Sequence, residues 1–370
     1  MNKKFFMGIA AMAALTLVSC SSDDLNSLSD NSSKNEAISF DGYLGRSAVA
    51  VNGSRGSVLD IPALTGENKG FGVFGNYNST GGQEFGSNLF NNQEVTGTTS
   101  NKVTKWTYTP VKYWPTQGLI DFLAYAPYDA NTELNTTSDG TASKKTSKIN
   151  FTVADQVGNQ KDLLWANAKD QKKTNDPVKF TFNHALAKIG YTVKLKQTYS
   201  NATITLNKIT LAGSADEKTK AFYKTGTIDL ATNITSPATN PWISTSSTDK
   251  QNFDWFSGDY NVTSLTPTHP NDNREKDKDY LFVIPQDFSN PTGANADKLY
   301  VIVDYTIKYT KHNNGEMAEM KSTVSSPIVM NFLQGKAYMI NLTIGLTPIE
   351  FDAEVKEWEN GANIPDISWD

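Results

Sequence analysis

Apolar residues recur at every second position along most of this chain, and that period constrains the fold more than any other feature. Val178, Phe180 and Phe182 alternate with Lys179 and Thr181, and Ile189, Tyr191, Val193 and Leu195 with Gly190, Thr192 and Lys194. Leu299, Val301, Val303, Tyr305 and Ile307 repeat the pattern, as do Tyr338, Ile340, Leu342 and Ile344, and then Phe351, Ala353 and Val355. A strand turns successive side chains to opposite faces, so one set lines a core and the other meets water. Helical spacing is confined to one turn over Ala185–Ile189 and two over Ala215–Phe222. The pattern predicts an all-β protein of two antiparallel sandwiches, 37–184 and 185–370, divided near His184. The Asn/Thr/Ser/Gly-rich stretches 78–101, 131–147 and 231–250 read as long surface loops.

The N-terminus sets the compartment. Lys3 and Lys4 precede an uncharged, mostly apolar stretch from Phe5 to Ser19, and Leu17-Val18-Ser19-Cys20 forms a lipobox. Fifteen residues fall short of the roughly 20 that span a bilayer as a helix. The layout predicts a lipoprotein signal peptide over 1–19, with a lipid-modified Cys20 as the mature N-terminus. Residues 20–36 then read as a polar tether that opens with the acidic pair Asp23-Asp24, a surface-export signal. Cys20 is the one cysteine, so lipidation leaves none for an internal disulfide and stability rests on packing and strand pairing. A net charge of −5 argues against nucleic acid as a partner.

Motifs with chemistry are sparse. Gly70-Phe71-Gly72-Val73-Phe74-Gly75 matches G-x-G-x-x-G, but it lies within an aromatic strand and is followed by the turn Asn76-Tyr77-Asn78-Ser79 rather than a helix. A glycine-interrupted strand at a sheet bend explains it better. His184, His269 and His312 have no second histidine or cysteine at metal-ligand spacing. His184, within Phe182-Asn183-His184-Ala185, reads as a structural residue at a strand end, since no acid or nucleophile is visible nearby. Asp272, Asp277 and Asp279 share a loop with three cations and lack the calcium-loop spacing, so the loop reads as solvated. No catalytic, cofactor-binding or metal-binding residue is assigned, and the seven tryptophans read mainly as core.

Strand edges remain as the candidate for function, because an exposed edge offers backbone groups that another chain can complete. Ala37–Leu44 reads as a first strand carrying Ile38, Phe40 and Leu44. Behind it stand two of the chain's three arginines: Arg46, followed by Ser47, and Arg55, followed by Gly56. A cut after Arg46 detaches the strand from everything downstream. At the other end, Ile364, Ile367 and Trp369 form a short apolar tail.

Six segments in order resemble the fimbrillin-like (Mfa-like) lipoproteins, which include subunits of type V pili. Besides the lipobox they are Ile38-Ser39-Phe40, Gly72-Val73-Phe74-Gly75, Tyr113-Trp114-Pro115 with Phe122-Leu123-Ala124-Tyr125-Ala126-Pro127, Asp162-Leu163-Leu164-Trp165-Ala166, and the most specific, Val178 to Ile189. The resemblance implies two transthyretin-like β-sandwich domains, lipoprotein export to the outer-membrane surface, and incorporation into a fimbrium with other subunits. It also implies that an Arg-specific protease removes the first strand and that a strand of the next subunit fills the vacated groove. Carried onto this chain, the cut falls at Arg46–Ser47, or second at Arg55–Gly56, and the donor lies within Phe351–Asp370. The implied partners are fimbrial subunits, the outer membrane through the N-terminal lipid before maturation, and host or bacterial surface ligands. A non-polymerising surface lipoprotein that binds glycans, or a fimbrial anchor or tip, is the alternative.

Overall fold

The structure, a computed structural model, describes residues 36–44, 64–65, 69–78, 89–100, 103–138, 143–235, 239–246, 248–270, 280–293, 296–311, 315–346 and 350–357. No α-helix occurs among them. A seven-stranded sheet runs in the order Phe40–Leu44, Val178–His184, Leu164–Gln171, Leu119–Ala126, Phe71–Asn78, Phe90–Ser100, Val103–Thr107. Two four-stranded sheets follow. One contains Leu281–Val283, Ala187–Leu195, Lys336–Ile344 and Glu350–Glu357, and the other Phe253–Val262, Ala202–Ala212, Tyr300–Thr310 and Met317–Pro327.

Among the described strands, ladders are antiparallel except in two places. Phe40–Leu44 lies parallel to Val178–His184, and Ala187–Leu195 lies parallel to Lys336–Ile344. Both parallel pairs join segments more than 100 residues apart, where no hairpin imposes the opposite direction.

Two hydrophobic cores form. The first gathers Ile38, Phe40, Phe71, Phe90, Trp106, Trp114, Phe122, Phe180 and Phe182. The second lies between the four-stranded sheets and includes Ile189, Tyr191, Leu206, Leu211, Val303 and Tyr338. Leu119–Ala126 is buried along nearly its whole length because it serves both. Ile120, Phe122, Ala124 and Ala126 face the first core, while Leu123 and Tyr125 belong to the second. Phe74 and Trp165 cross over in the same way from the neighbouring strands. Lys148–Thr152 also pairs antiparallel with Thr225–Asp229, and residues 36–370 cluster as one compact unit.

The G-x-G-x-x-G segment is a strand, as its context predicted, but the expected turn at Asn76-Tyr77-Asn78 is not there: the strand runs on through Asn78, paired with Leu119–Asp121. A Cβ on Gly72 would stand 2.3 Å from the Tyr125 ring, so glycine is required by ring packing and not by phosphate binding.

Three expectations are corrected. The stretch 78–101 holds the strand Phe90–Ser100, 131–147 holds the paired short strands Thr136–Ser138 and Ser143–Lys145, and 231–250 holds Trp242–Thr245. Phe90–Ser100 looked like a loop because only Phe90, Val95 and Gly97 turn fully inward, leaving Asn, Gln and Thr to fill the rest. Ala215–Phe222 forms no helix: Ser214 donates to Asp216 at 2.6 Å and accepts from Thr219 N at 3.0 Å, which closes a turn instead. Ala185 and Leu186 link two strands, and their backbones bond to Leu163 and Gly335 rather than to a helical turn.

Phe122 packs edge-on against Phe40, Phe90 and Trp114. Phe122→Ala is expected to lower unfolding stability by about 3–5 kcal/mol, read by urea titration of the circular dichroism signal.

Candidate functional site

The first strand occupies a groove in the wall of the aromatic core. It is an end strand of its sheet, with Val178–His184 as its one ladder neighbour, in the register Phe40↔Val178 through Leu44↔Phe182. Ahead of the ladder, Val178 N donates to Ser39 O at 2.8 Å. On the opposite side Ile38 N donates to Lys112 O at 2.8 Å, Trp114 N donates to Glu36 O at 2.9 Å, and Ala37 bridges Tyr113.

Side chains follow the period read from the sequence. Ile38 and Phe40 are 1% and 4% exposed, and Tyr43 is 46% exposed. The Phe40 ring sits within 5.4–5.6 Å, centroid to centroid, of Phe90, Tyr108, Phe122 and Phe180. Burying Ile38 and Phe40 contributes about 1.5–3 kcal/mol each, so loss of this strand uncovers an apolar trough lined by aromatic rings. Of the residues proposed from sequence, Ile38 and Phe40 share this groove, and the backbone of Leu44 continues the same strand. Cys20, Arg46, Ser47, Arg55, Gly56, Ile364, Ile367 and Trp369 lie outside the described residues, as do His312 and the Asp272–Asp279 cluster.

Tyr108 clasps the strand, a role sequence reasoning missed because nothing local marks it. Its hydroxyl donates to Ile38 O at 2.7 Å and accepts from Lys112 N at 3.2 Å. Burial pushes its phenol above the ordinary value.

His184 has an acid partner that sequence spacing hid. Its Nδ1 lies 2.7 Å from Asp162 Oδ2, with both side chains fully buried. The pair joins the end of Val178–His184 to the approach of Leu164–Gln171, which fits the structural reading. Among the described residues no group of three or more His, Cys, Asp or Glu is arranged to hold a metal ion.

These features define a β-sheet protein whose first strand is an edge element seated in an aromatic groove. The chain belongs to the fimbrillin-like family, whose sequence model matches residues 62–358. Fimbrium subunit Fim1C of Phocaeicola vulgatus is 27% identical over 376 residues, covering 94% of each chain. A fimbrial protein from Bacteroides vulgatus, known from its crystal structure, shares the fold at 19% identity with a TM-score of 0.59, covering 88% of this chain and 100% of its own. Family membership places the chain among the structural subunits of cell-surface fimbriae.

Tyr108→Phe is expected to cost about 1 kcal/mol of stability through the lost bond to Ile38. The folded state holds the Tyr108 proton more tightly than the unfolded chain does. Its contribution is therefore complete below about pH 10 and falls as pH rises further. Urea titrations at neutral and strongly alkaline pH should show a smaller alkaline loss in Tyr108→Phe than in the parent.

Proposed function

We propose that this chain is a polymerising subunit of a surface fimbria, exported as a lipoprotein through Cys20 and matured by cleavage after Arg46. The observation that carries this reading is the first strand itself. Its apolar residues fill an aromatic groove, it has one ladder neighbour, and its connection to the rest of the chain runs through Gly45-Arg46-Ser47. Cleavage there leaves the strand held only by noncovalent contacts, so a strand from another subunit can replace it. Each joint then gains a ladder of backbone hydrogen bonds and a filled groove. Arg55–Gly56 is the second cleavage choice, and the donor lies in Phe351–Asp370, a region that includes Ile364, Ile367 and Trp369.

In this reading the protein is not an enzyme, and its partners are other fimbrial subunits and, before maturation, the outer membrane. Host or bacterial surface ligands meet the assembled fibre. The reading divides the chain into transthyretin-like domains over 37–184 and 185–370, after the signal peptide and tether, and the aromatic core, drawn from residues 38–182, supports the first of them.

One observation favours the second reading, a glycan-binding surface lipoprotein or an anchor or tip. An open cleft of about 970 Å³ is lined by polar groups including Asn131, Glu133, Asn135, Lys145 and Asn150, beside the Phe151 ring. That protein retains residues 21–46 on its mature form.

Protein sheared from the cell surface is expected to begin at Ser47 and to run as heat-labile ladders of high mass. Arg46→Ala should leave lipidated monomer on the membrane and abolish the ladder. Polymer that persists with both Arg46 and Arg55 replaced would sink the processing step. A mature chain that begins at lipidated Cys20 and stays monomeric would favour the second reading.

A further inference from the structure

The strand Met317–Pro327 leaves a long backbone edge open. It spans eleven residues, pairs with Tyr300–Thr310 without a register shift, and has no second ladder neighbour among the described residues. Folded monomers blunt such edges with short strands, bulges, proline or inward-pointing charge. Here the register is unbroken and Pro327 comes only at the last position. We propose that this edge pairs antiparallel, across a twofold axis, with the same edge of a second copy of this chain, joining two subunits side by side. The joint is separate from the first-strand groove and does not depend on how the N-terminus is matured.

Backbone phase and charge select one register. In an antiparallel pair, residues alternate between bonding to the neighbour and directing their N–H and C=O to the far side. Lys311 N donates to Glu316 O at 2.8 Å, and Ile328 N donates to Leu299 O at 2.8 Å, at the two ends of this ladder. The residues bonded to Tyr300–Thr310 are therefore Ala318, Met320, Ser322, Val324 and Ser326. Met317, Glu319, Lys321, Thr323 and Ser325 direct their backbone groups to the open edge. Two copies bond only where residues of this second set face each other. With Met320 opposite Met320 at the twofold axis, Glu319 of each copy faces Lys321 of the other, and Met317 faces Thr323. A shift of two residues one way sets Glu319 against Glu319, and the other way Lys321 against Lys321.

The side chains suit that register. Glu319 meets Lys308 across its own ladder at 3.7 Å, with both groups about half exposed. A second copy extends this pair into a row of alternating charge, Lys308, Glu319 and then Lys321 of the other subunit. The edge carries one acid and one base two residues apart, so it does not repel its own copy as a lone lysine would. Met320 stands on the other face of the strand, opposite Ile307, and is 48% exposed. Contact between the two Met320 side chains at the axis covers both of them.

Disulfide trapping on cells that display the full-length chain tests the register. Facing residues at the axis lie within disulfide reach, whereas a shift of two residues adds about 6–7 Å. Met320→Cys is expected to give a dimer that survives boiling without reductant and collapses to monomer with it. Glu319→Cys and Lys321→Cys, each alone, should run as monomer, as should the parent, in which Cys20 is the one cysteine. In the Met320→Cys chain, Lys321→Glu sets glutamate against glutamate twice and should lower the dimer yield at least tenfold. Adding Glu319→Lys reverses both pairs and should restore the yield, which a folding defect would not allow. A folded Met320→Cys chain that stays monomeric would overturn the proposal. A dimer from Glu319→Cys or Lys321→Cys as abundant as that from Met320→Cys would overturn the register. A yield that Lys321→Glu leaves unchanged, or that the double exchange fails to recover, would count against the charge pairing.

Discussion

Both cores of this protein depend on the strand Leu119–Ala126, which has no solvent face. Phe122 and Ala124 close the aromatic core on one side, and Leu123 and Tyr125 enter the other core across the same backbone. A two-residue repeat then becomes a device for joining two cores, because each successive side chain serves a different one. Phe74 and Trp165 extend the joint into the flanking strands, so a change in one core is transmitted through close-packed side chains to the other.

The groove that holds the first strand is built on this joint. The trough around Phe40 is built from Phe90, Tyr108, Phe122 and Phe180, all carried by parts of the chain downstream of residue 64. The walls therefore belong to the portion that remains after a cut at Arg46. Under the proposed cleavage only Ile38, Phe40 and their neighbours would leave, and Val178–His184 and the Tyr108 hydroxyl would be open to another strand. A groove so preorganised loses little on refilling, which suits a fibre joined without covalent links.

Polar strands and buried polar pairs were the features least legible in the sequence. Phe90–Ser100 reads as a loop because its outer face is Asn, Gln and Thr, yet three inward residues and pairing on both sides hold it in the sheet. The bond between His184 and Asp162 spans 22 residues, and no spacing rule brings them together. The Tyr108 clasp spans 70 residues and is equally silent. All three are decided by neighbours distant along the chain.

What the sequence determined alone was the class of structure and the facing of its strands. Period two identified Phe40, Phe180 and Phe182 as core residues, and the aromatic context of Gly72 excluded a phosphate loop, because both depend only on residues a few positions apart. Tertiary structure decided which strands are neighbours, that the first runs parallel to Val178–His184, and that one sheet serves two cores. Those outcomes depend on pairing between segments separated by more than 100 residues, for which a local alternation carries no register and no direction.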